Sequence, residues 1–220
     1  MTIEKSKDRL KKQIIFFKGY FVGRNMLKSI RALELALKFH IGKRSDGREE
    51  VSHQIEIAGY LIQVLENKIP NDELDIIIAA AFLHDLVEDY PDKYSLEEVL
   101  ENFGEAVHGI IKRVSKPANF NKRDTEHKHA YYMAILEDAF SVMVKGGDRM
   151  HNIQSMARAF GIVKQKYYIE EVKSYFYPML RAAREKWPQY YMIFINIQHS
   201  LERQIALLEY AHEFAEAVKK

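Results

Sequence analysis

The sequence predicts an all-α protein, and three observations carry that prediction. Apolar residues recur at helical spacing in segment after segment, turn chemistry separates those segments, and no stretch reads as a strand, a repeat or a low-complexity linker. With 220 residues and 47% apolar content the chain can bury a sizeable core. The simplest reading is one domain over 1–220, with a core near 27–186 and helical extensions at both ends.

The elements follow in order. Charged Glu4 to Lys12 and apolar Ile14 to Val22 together predict an amphipathic helix ending near Gly23. Asn25 to His40 continues as a second, with Leu27, Ile30, Leu33, Leu35 and Leu37 as its apolar residues. Ile41 to Glu50 breaks the period with Gly-Lys-Arg-Ser-Asp-Gly and gathers Lys43, Arg44 and Arg48 into a cationic loop. Val51 to Asn67 resumes helical spacing, and Pro70-Asn71 opens a helix whose run Ile76 to Leu83 is almost wholly apolar. Pro91 restricts Tyr90 to extended backbone, so this helix is expected to run through to Asp89 and stop there. Ser95 with Glu98 predicts a capping box for a helix to Phe103, followed by another over Gly104 to Val114. Ser115 to Glu126 is a polar, basic loop, and His129 to Ala139 the next helix. Gly146-Gly147, inside an otherwise helical junction, predict a kink or a close approach. Segments from Tyr168 to Lys186 and from Pro188 to Lys219 complete the chain.

Composition narrows the function classes. Thirty-three basic against 31 acidic residues give a net charge of +2, which offers no broad electrostatic basis for binding nucleic acid or an anionic membrane. The absence of cysteine excludes disulfides and thiolate metal sites, so a metal must use His, Asp, Glu or Asn. The apolar runs fall short of the ~20 residues that span a bilayer, and the Lys-rich start lacks a signal-peptide core. A soluble, cytoplasmic protein is expected.

Chemistry concentrates at Phe82 to Tyr90, where His84-Asp85 and Glu88-Asp89 follow the apolar run. At helical spacing His84 lies one turn before Glu88, and Asp85 one turn before Asp89, so all four are expected to face one concave site. Such a group is costly unless a cation offsets its charge. His53, and Asp148 with Asn152 one turn later, offer further ligands from distant segments, as a site inside a helical bundle requires. A lone His on an apolar face is more often structural than a ligand; the central tetrad changes that balance. Two His and two Asp form a mixed nitrogen and oxygen set suited to Mn²⁺, Fe²⁺ or Zn²⁺. That leaves Glu88 and Asp89 free for proton transfer.

His53, His84-Asp85 and Asp148 follow the H…HD…D pattern of HD-domain metal-dependent phosphohydrolases. Arg44 nine residues before His53, Glu88-Asp89, and Asp148-Arg-Met-His-Asn152 resemble more narrowly the hydrolase domain of the RelA/SpoT family, including stand-alone small alarmone hydrolases. The likeness covers roughly Leu33 to Tyr177. It implies an HD-domain helical bundle that uses Mn²⁺, or another divalent transition metal. The activity it implies is removal of the 3′-diphosphate from the stringent-response alarmones ppGpp and pppGpp, giving GDP or GTP plus pyrophosphate. It assigns His53, His84, Asp85 and Asp148 to the metal and Glu88 with Asp89 to catalysis. Asn152, Ser155 and Tyr175 would contact the nucleotide; Arg44 would meet the diphosphate or brace Glu88-Asp89. The expected partner is a small-molecule nucleotide, with no nucleic acid and no membrane. Bifunctional members carry a synthetase domain for which a chain ending at Lys220 leaves no room, so degradation is expected.

The chain departs from the family where substrate is bound. Ser45 stands where a Lys commonly follows the Arg, Gln54 replaces the Pro after the first His, Gly146 a larger apolar residue, and Tyr90 a Thr. Lys43, Arg48 and the loop residues Lys116, Lys122 and Arg123 are candidates to compensate. These changes keep two alternatives in view: the same chemistry on an adenosine alarmone, NADPH or a nucleoside monophosphate, and a non-catalytic nucleotide-binding HD protein.

Overall fold

The computed structural model describes residues 3–218; Met1, Thr2, Lys219 and Lys220, the tips of the expected extensions, lie outside the described residues. Among the described residues the chain forms α1 (Ile3–Gly23), α2 (Leu27–Phe39), α3 (Ser52–Leu65), α4 (Asn71–Leu83), α5 (Leu86–Asp89), α6 (Leu96–Phe103) and α7 (Glu105–Val114). It continues with α8 (Thr125–Ile135), α9 (Ala139–Ala159), α10 (Ile162–Glu171), α11 (Tyr177–Lys186) and α12 (Tyr191–Ala217). A π-helical turn (Val172–Phe176) joins α10 to α11, and a 3₁₀ turn (Pro188–Tyr190) precedes α12. No strand occurs among the described residues, apart from an isolated antiparallel bridge between Lys43 and Glu49. None of these helices is long and apolar enough to cross a membrane.

The apolar run seen in the sequence is the centre of the bundle. Every residue from Ile77 to Leu83 is fully buried, and α2, α3, α7 and α9 surround α4. Each large side chain buried there contributes about 1.5–3 kcal/mol. On one side α1 closes the core: Phe17 and Phe21 stack at 5.5 Å and meet Phe82 edge-on at 6.2 and 6.0 Å. Helix α2 has no side-chain cap of its own, and buried Asp75 of α4 supplies one. Its carboxylate accepts from the Lys28 and Ser29 amides at 3.1 and 2.7 Å, which pins the start of α2 to α4.

Three sequence expectations are corrected. The central helix does not run unbroken to Asp89: α4 ends at Leu83, His84 and Asp85 form a turn, and α5 starts at Leu86. His84 Nδ1 bonds the Ala81 carbonyl at 2.9 Å, and Asp85 takes φ −96°, ψ −9°. Consecutive residues of a regular helix diverge by about 100°, and the break lets both side chains face one point. Helix α8 begins at Thr125 rather than His129 because Asp124 caps it, accepting from the Glu126 and His127 amides at 2.8 and 3.2 Å. The segment expected from Tyr168 to Lys186 is divided by the π turn. By contrast, the Ser95–Glu98 capping box forms as expected.

The glycine pair marks a close approach, not a kink. Helix α9 runs through it without interruption, with α12 on one side and α3 on the other. A Cβ at Gly146 would lie 2.9 Å from Ile197 Cδ1 and Cγ2, and one at Gly147 would lie 2.9 Å from Ile57 Cγ2 and 3.1 Å from Leu61 Cγ. Overpacking costs about 1–3 kcal/mol, more than leaving glycine returns in helix propensity. Gly147→Val is therefore expected to lower the thermal midpoint by several degrees; an unchanged midpoint in calorimetry would reject the close-approach account.

Candidate active site

Three helices deliver the site. His53 sits in the first turn of α3, His84 and Asp85 in the α4–α5 turn, and Asp148 in the middle of α9. His53 Nε2 lies 3.3 Å from Asp85 Oδ2 and 3.5 Å from Asp148 Oδ1. His84 Nε2 lies 3.1 and 3.8 Å from the same two oxygens. His53, His84 and Asp148 are buried and hold their ligand atoms within 4.8 Å of one another.

These residues fit a divalent metal on two grounds. Around a first-row ion with bonds of about 2.0–2.2 Å, neighbouring ligand atoms stand about 3.0–3.5 Å apart, close to the separations here. His84 Nε2 is buried and makes no hydrogen bond, despite Asp85 Oδ2 at 3.1 Å, so its nitrogen faces the cluster without a partner.

The electrostatics agree. Burial would raise both carboxyls, but the charge of His84 holds Asp85 well below the ordinary range, and Lys145, with the neighbouring imidazoles of His53 and His84, does the same for Asp148. His84 is shifted well upward: burial opposes this, and Asp85 followed by Asp148 outweighs it. A centre that draws a proton onto an imidazole in this way is strongly anionic, the condition a cation relieves.

Supporting groups fix the ligands. Buried Lys145, one turn before Asp148, donates to its Oδ2 at 2.7 Å. Burial would lower Lys145, but Asp148 drives it upward, so it stays charged. Asn152 Nδ2 donates to Asp148 Oδ1 at 2.6 Å, which places this expected substrate contact against a ligand oxygen. Arg149 turns away and pairs with Tyr132 and Glu171 at 2.8 and 2.5 Å. His53 Nδ1 meets His151 Nδ1 at 2.7 Å, and His151 Nε2 meets Glu56 Oε2 at 2.8 Å.

The Glu-Asp pair is split. Glu88 Oε1 accepts from the Lys116 amide at 2.6 Å, and Lys116 Nζ lies 3.6 Å from Oε2. Asp89 faces the other way, grouped with His40 and Glu50 within 4.8 Å. Glu50 accepts from the Gly42 amide at 3.0 Å and from Tyr90 Oη at 3.2 Å, which gives the family-divergent Tyr90 a local role. Burial first, then the charges of Asp85, Glu50 and Glu88, push the Asp89 carboxyl up to about 6.

The remaining expected residues are more dispersed. The Arg44 backbone is set by a turn closed by Gly47 N to Arg44 O at 2.9 Å, with Gly47 at φ 82°. No hydrogen bond or ion pair joins its side chain to Glu88 or Asp89 among the described residues. Ser155 Oγ bonds the Asn152 carbonyl at 3.3 Å and borders a cavity of about 610 Å³ shared with Arg48, Glu56, His151 and Arg158. Tyr175 stacks on Tyr132 at 5.7 Å beneath Lys128, so its ring is engaged within an aromatic cluster. Nor do Lys43 and Arg48 stand free: Lys43 pairs with Glu49, and Arg48 with Asp46 and Glu56 at 2.7 and 2.8 Å. Lys116 and Lys122 line a second cavity of about 880 Å³, with Glu88, Phe120 and Tyr131.

Sequence reasoning missed Lys145, Glu56, His151, His40 and Glu50. For three of them a signal existed: Lys145 and His151 stand three residues either side of Asp148, and Glu56 three residues after His53, the spacing that aligns helix side chains. His40 and Glu50 lie outside those helices and act across loops.

An all-helical bundle that brings two histidines and two aspartates together, in an arrangement that could hold a metal ion, is of the HD class. The chain belongs to the HD-domain family, which it matches over residues 32–186. It is 32% identical over 153 residues to a Synechocystis protein named probable guanosine-3′,5′-bis(diphosphate) 3′-pyrophosphohydrolase, an alignment covering 66% of this chain and 19% of that one. It is 29% identical over 143 residues to Escherichia coli SpoT, named as a bifunctional (p)ppGpp synthase/hydrolase, covering 62% and 19%. The chain thus spans about a fifth of the length of these curated relatives. A solved structure described as a metazoan orthologue of SpoT that hydrolyses ppGpp superposes with a TM-score of 0.58 at 21% identity, over 79% of this chain and 96% of that one. The two share a fold.

Because the folded pKa of Asp89 exceeds the ordinary 3.8, its ionisation opposes folding: the penalty is absent below 3.8 and complete above about 6. In metal-free protein, carbon NMR is expected to show Asp89 titrating near pH 6, and Glu50→Gln to move the midpoint part of the way down, since burial remains. A midpoint at the ordinary value would reject the crowding.

Proposed function

We propose that this chain is a metal-dependent 3′-pyrophosphohydrolase of guanosine alarmones, converting ppGpp to GDP, or pppGpp to GTP, with release of pyrophosphate. The observation that carries the reading is the His53–His84–Asp85–Asp148 cluster, buried except for Asp85, with Glu88 and Asp89 in the short helix α5 that follows it. Names of the relatives supply the substrate class, and the chemistry of the site supplies the reaction. The mixed nitrogen and oxygen donor set suits Mn²⁺, Fe²⁺ or Zn²⁺, and the resemblance to the alarmone hydrolases selects Mn²⁺ among them. When bound, such an ion supplies an acidified water and a counter-charge for phosphoryl oxygens.

The chain's own residues do the rest. Lys145 and Asn152 hold Asp148 in place, and the His84 Nδ1 bond to Ala81 fixes that imidazole. Asp89, with a carboxyl near 6, can take a proton from the attacking water and return one at neutral pH. Glu88, anchored by the Lys116 amide, orients that water. The water oxygen bonds to the phosphorus carried by the 3′ oxygen, and the bond between that phosphorus and the 3′ oxygen breaks. The 3′ oxygen leaves with a proton as a hydroxyl, and the diphosphate departs as pyrophosphate. Arg44 and Lys116 are the cations we assign to its charge, and the chamber lined by Lys122, Phe120 and Tyr131 can take a flat or anionic part of the nucleotide.

One observation favours a second reading, the same reaction class on another nucleotide. Lys43 and Arg48 are tied to carboxylates and do not replace the Lys that Ser45 displaces.

Incubation with Mn²⁺ and a panel of ppGpp, an adenosine alarmone, NADPH and nucleoside monophosphates is expected to release pyrophosphate from ppGpp. Phosphate without pyrophosphate would reject the alarmone reading, and no turnover throughout would reject the enzyme. Glu88→Ala is expected to keep the metal and lose turnover by about 10²-fold or more, whereas Asp85→Ala loses both.

A further inference from the structure

His53 differs from the other ligands in what stands behind it. His84 rests its Nδ1 on a backbone carbonyl, and Asp148 is held by Lys145 and Asn152. Behind His53 lies another imidazole, with the two Nδ1 atoms 2.7 Å apart and both rings buried. Two ring nitrogens at that distance can share one proton. They repel if both are bare or both protonated. If His53 presents a bare Nε2 to a cation, its Nδ1 must carry the hydrogen and donate it. His151 Nδ1 must then accept, so His151 Nε2 carries its hydrogen outward.

There the structure has an acceptor waiting. His151 Nε2 meets Glu56 Oε2 at 2.8 Å, and that same oxygen accepts from Arg48 Nη1 at 2.8 Å. Arg48 Nε donates to Asp46 Oδ2 at 2.7 Å, and its backbone amide to Asp46 Oδ1 at 3.1 Å. Every donor therefore has an acceptor, and the order fixes one tautomer at each histidine. The opposite tautomer of His151 would face a lone pair to the Glu56 carboxylate and a hydrogen to the His53 hydrogen. The chain ends in the loop that carries Arg44, whose amide donates to the Arg48 carbonyl at 3.0 Å.

We propose that His151 and Glu56, anchored by Arg48, are positioning residues that lock His53 in its Nδ1-protonated tautomer and aim its Nε2 at the metal. The proposal rests on the reading of His53 as a ligand. Groups of this kind behind a metal-bound imidazole typically change metal affinity about 10–100-fold. The same chain couples that affinity to the Arg44 loop, because Arg48 belongs to both.

Mn²⁺ affinity of the purified protein, measured by calorimetry without substrate, tests this. His151→Ala is expected to weaken binding by about 10–100-fold. Glu56→Gln, which keeps an acceptor but loses the charge, should weaken it less, and the control Arg158→Ala, which borders the same cavity outside the chain, should not change it. In the Zn²⁺ form, nitrogen NMR should show His53 protonated at Nδ1 in the wild type, and that signal should shift in Glu56→Gln. Affinities for both His151→Ala and Glu56→Gln within about twofold of wild type, with helical circular dichroism intact, would overturn the relay while leaving the hydrolase reading standing. Should His151→Ala fail to fold, Glu56→Gln decides alone. A wild-type chain that binds no Mn²⁺ would overturn the metal-ligand reading of His53 and the relay with it.

Discussion

The structure depends on keeping one carboxylate ionised in the middle of a helical bundle. Asp148 is buried at the crossing of α9 with α3 and α4, where an isolated charge would be severely penalised. Lys145 at 2.7 Å supplies the compensating charge from within the same helix, and Asn152 holds the other oxygen from one turn further on. With one oxygen thus committed to a fixed cation, the second remains directed at His53 and His84. A buried pair of this kind is weak evidence of stabilisation in itself, because desolvation offsets much of the attraction. Its value here is geometric: it holds an anionic oxygen where a divalent ion could use it.

That geometry constrains the packing around it. For Asp148 to reach His53, α9 must lie unusually close to α3, and Gly147 next to it permits the contact with Ile57 and Leu61. Gly146 does the same toward Ile197 of α12. The helix α12, which in the sequence looks like an appendage, therefore fills space that a larger residue at position 146 would occupy. The apolar α4 plays the complementary part. Its buried run is a rigid stem that ends at Leu83, so the turn bearing His84 and Asp85 emerges at a fixed height beside α3 and α9.

Much of the helix layout was legible because local signals and the core agreed. The capping box at Ser95, the Pro70-Asn71 start and the stop before Pro91 were read correctly, since each depends only on neighbours in sequence. The misses have the opposite character. The α4–α5 break turns His84 and Asp85 toward side chains of α3 and α9, partners that no window around His84 contains. Asp124 as a cap was visible in principle but hidden in a run of polar residues where several starts looked equivalent. The residues that support the cluster split in the same way. Lys145, Glu56 and His151 lie within a turn of a candidate ligand, whereas the contacts of His151 with His53 and of Glu50 with Tyr90 are ones that only the fold creates.

The split between Glu88 and Asp89 bears most on the proposed chemistry. Adjacent in α5, their side chains diverge by about 100° around the helix axis. In the folded chain Glu88 is bound to Lys116 of the 115–124 loop, while Asp89 stands with Glu50 and His40 beside the 41–50 loop. The two carboxylates therefore border different loops, Glu88 the one that carries Lys116 and Asp89 the one that carries Glu50. A change in either loop would alter the surroundings of one carboxylate without moving the cluster, since His53 and Asp148 sit on helices and His84 and Asp85 on the turn between α4 and α5.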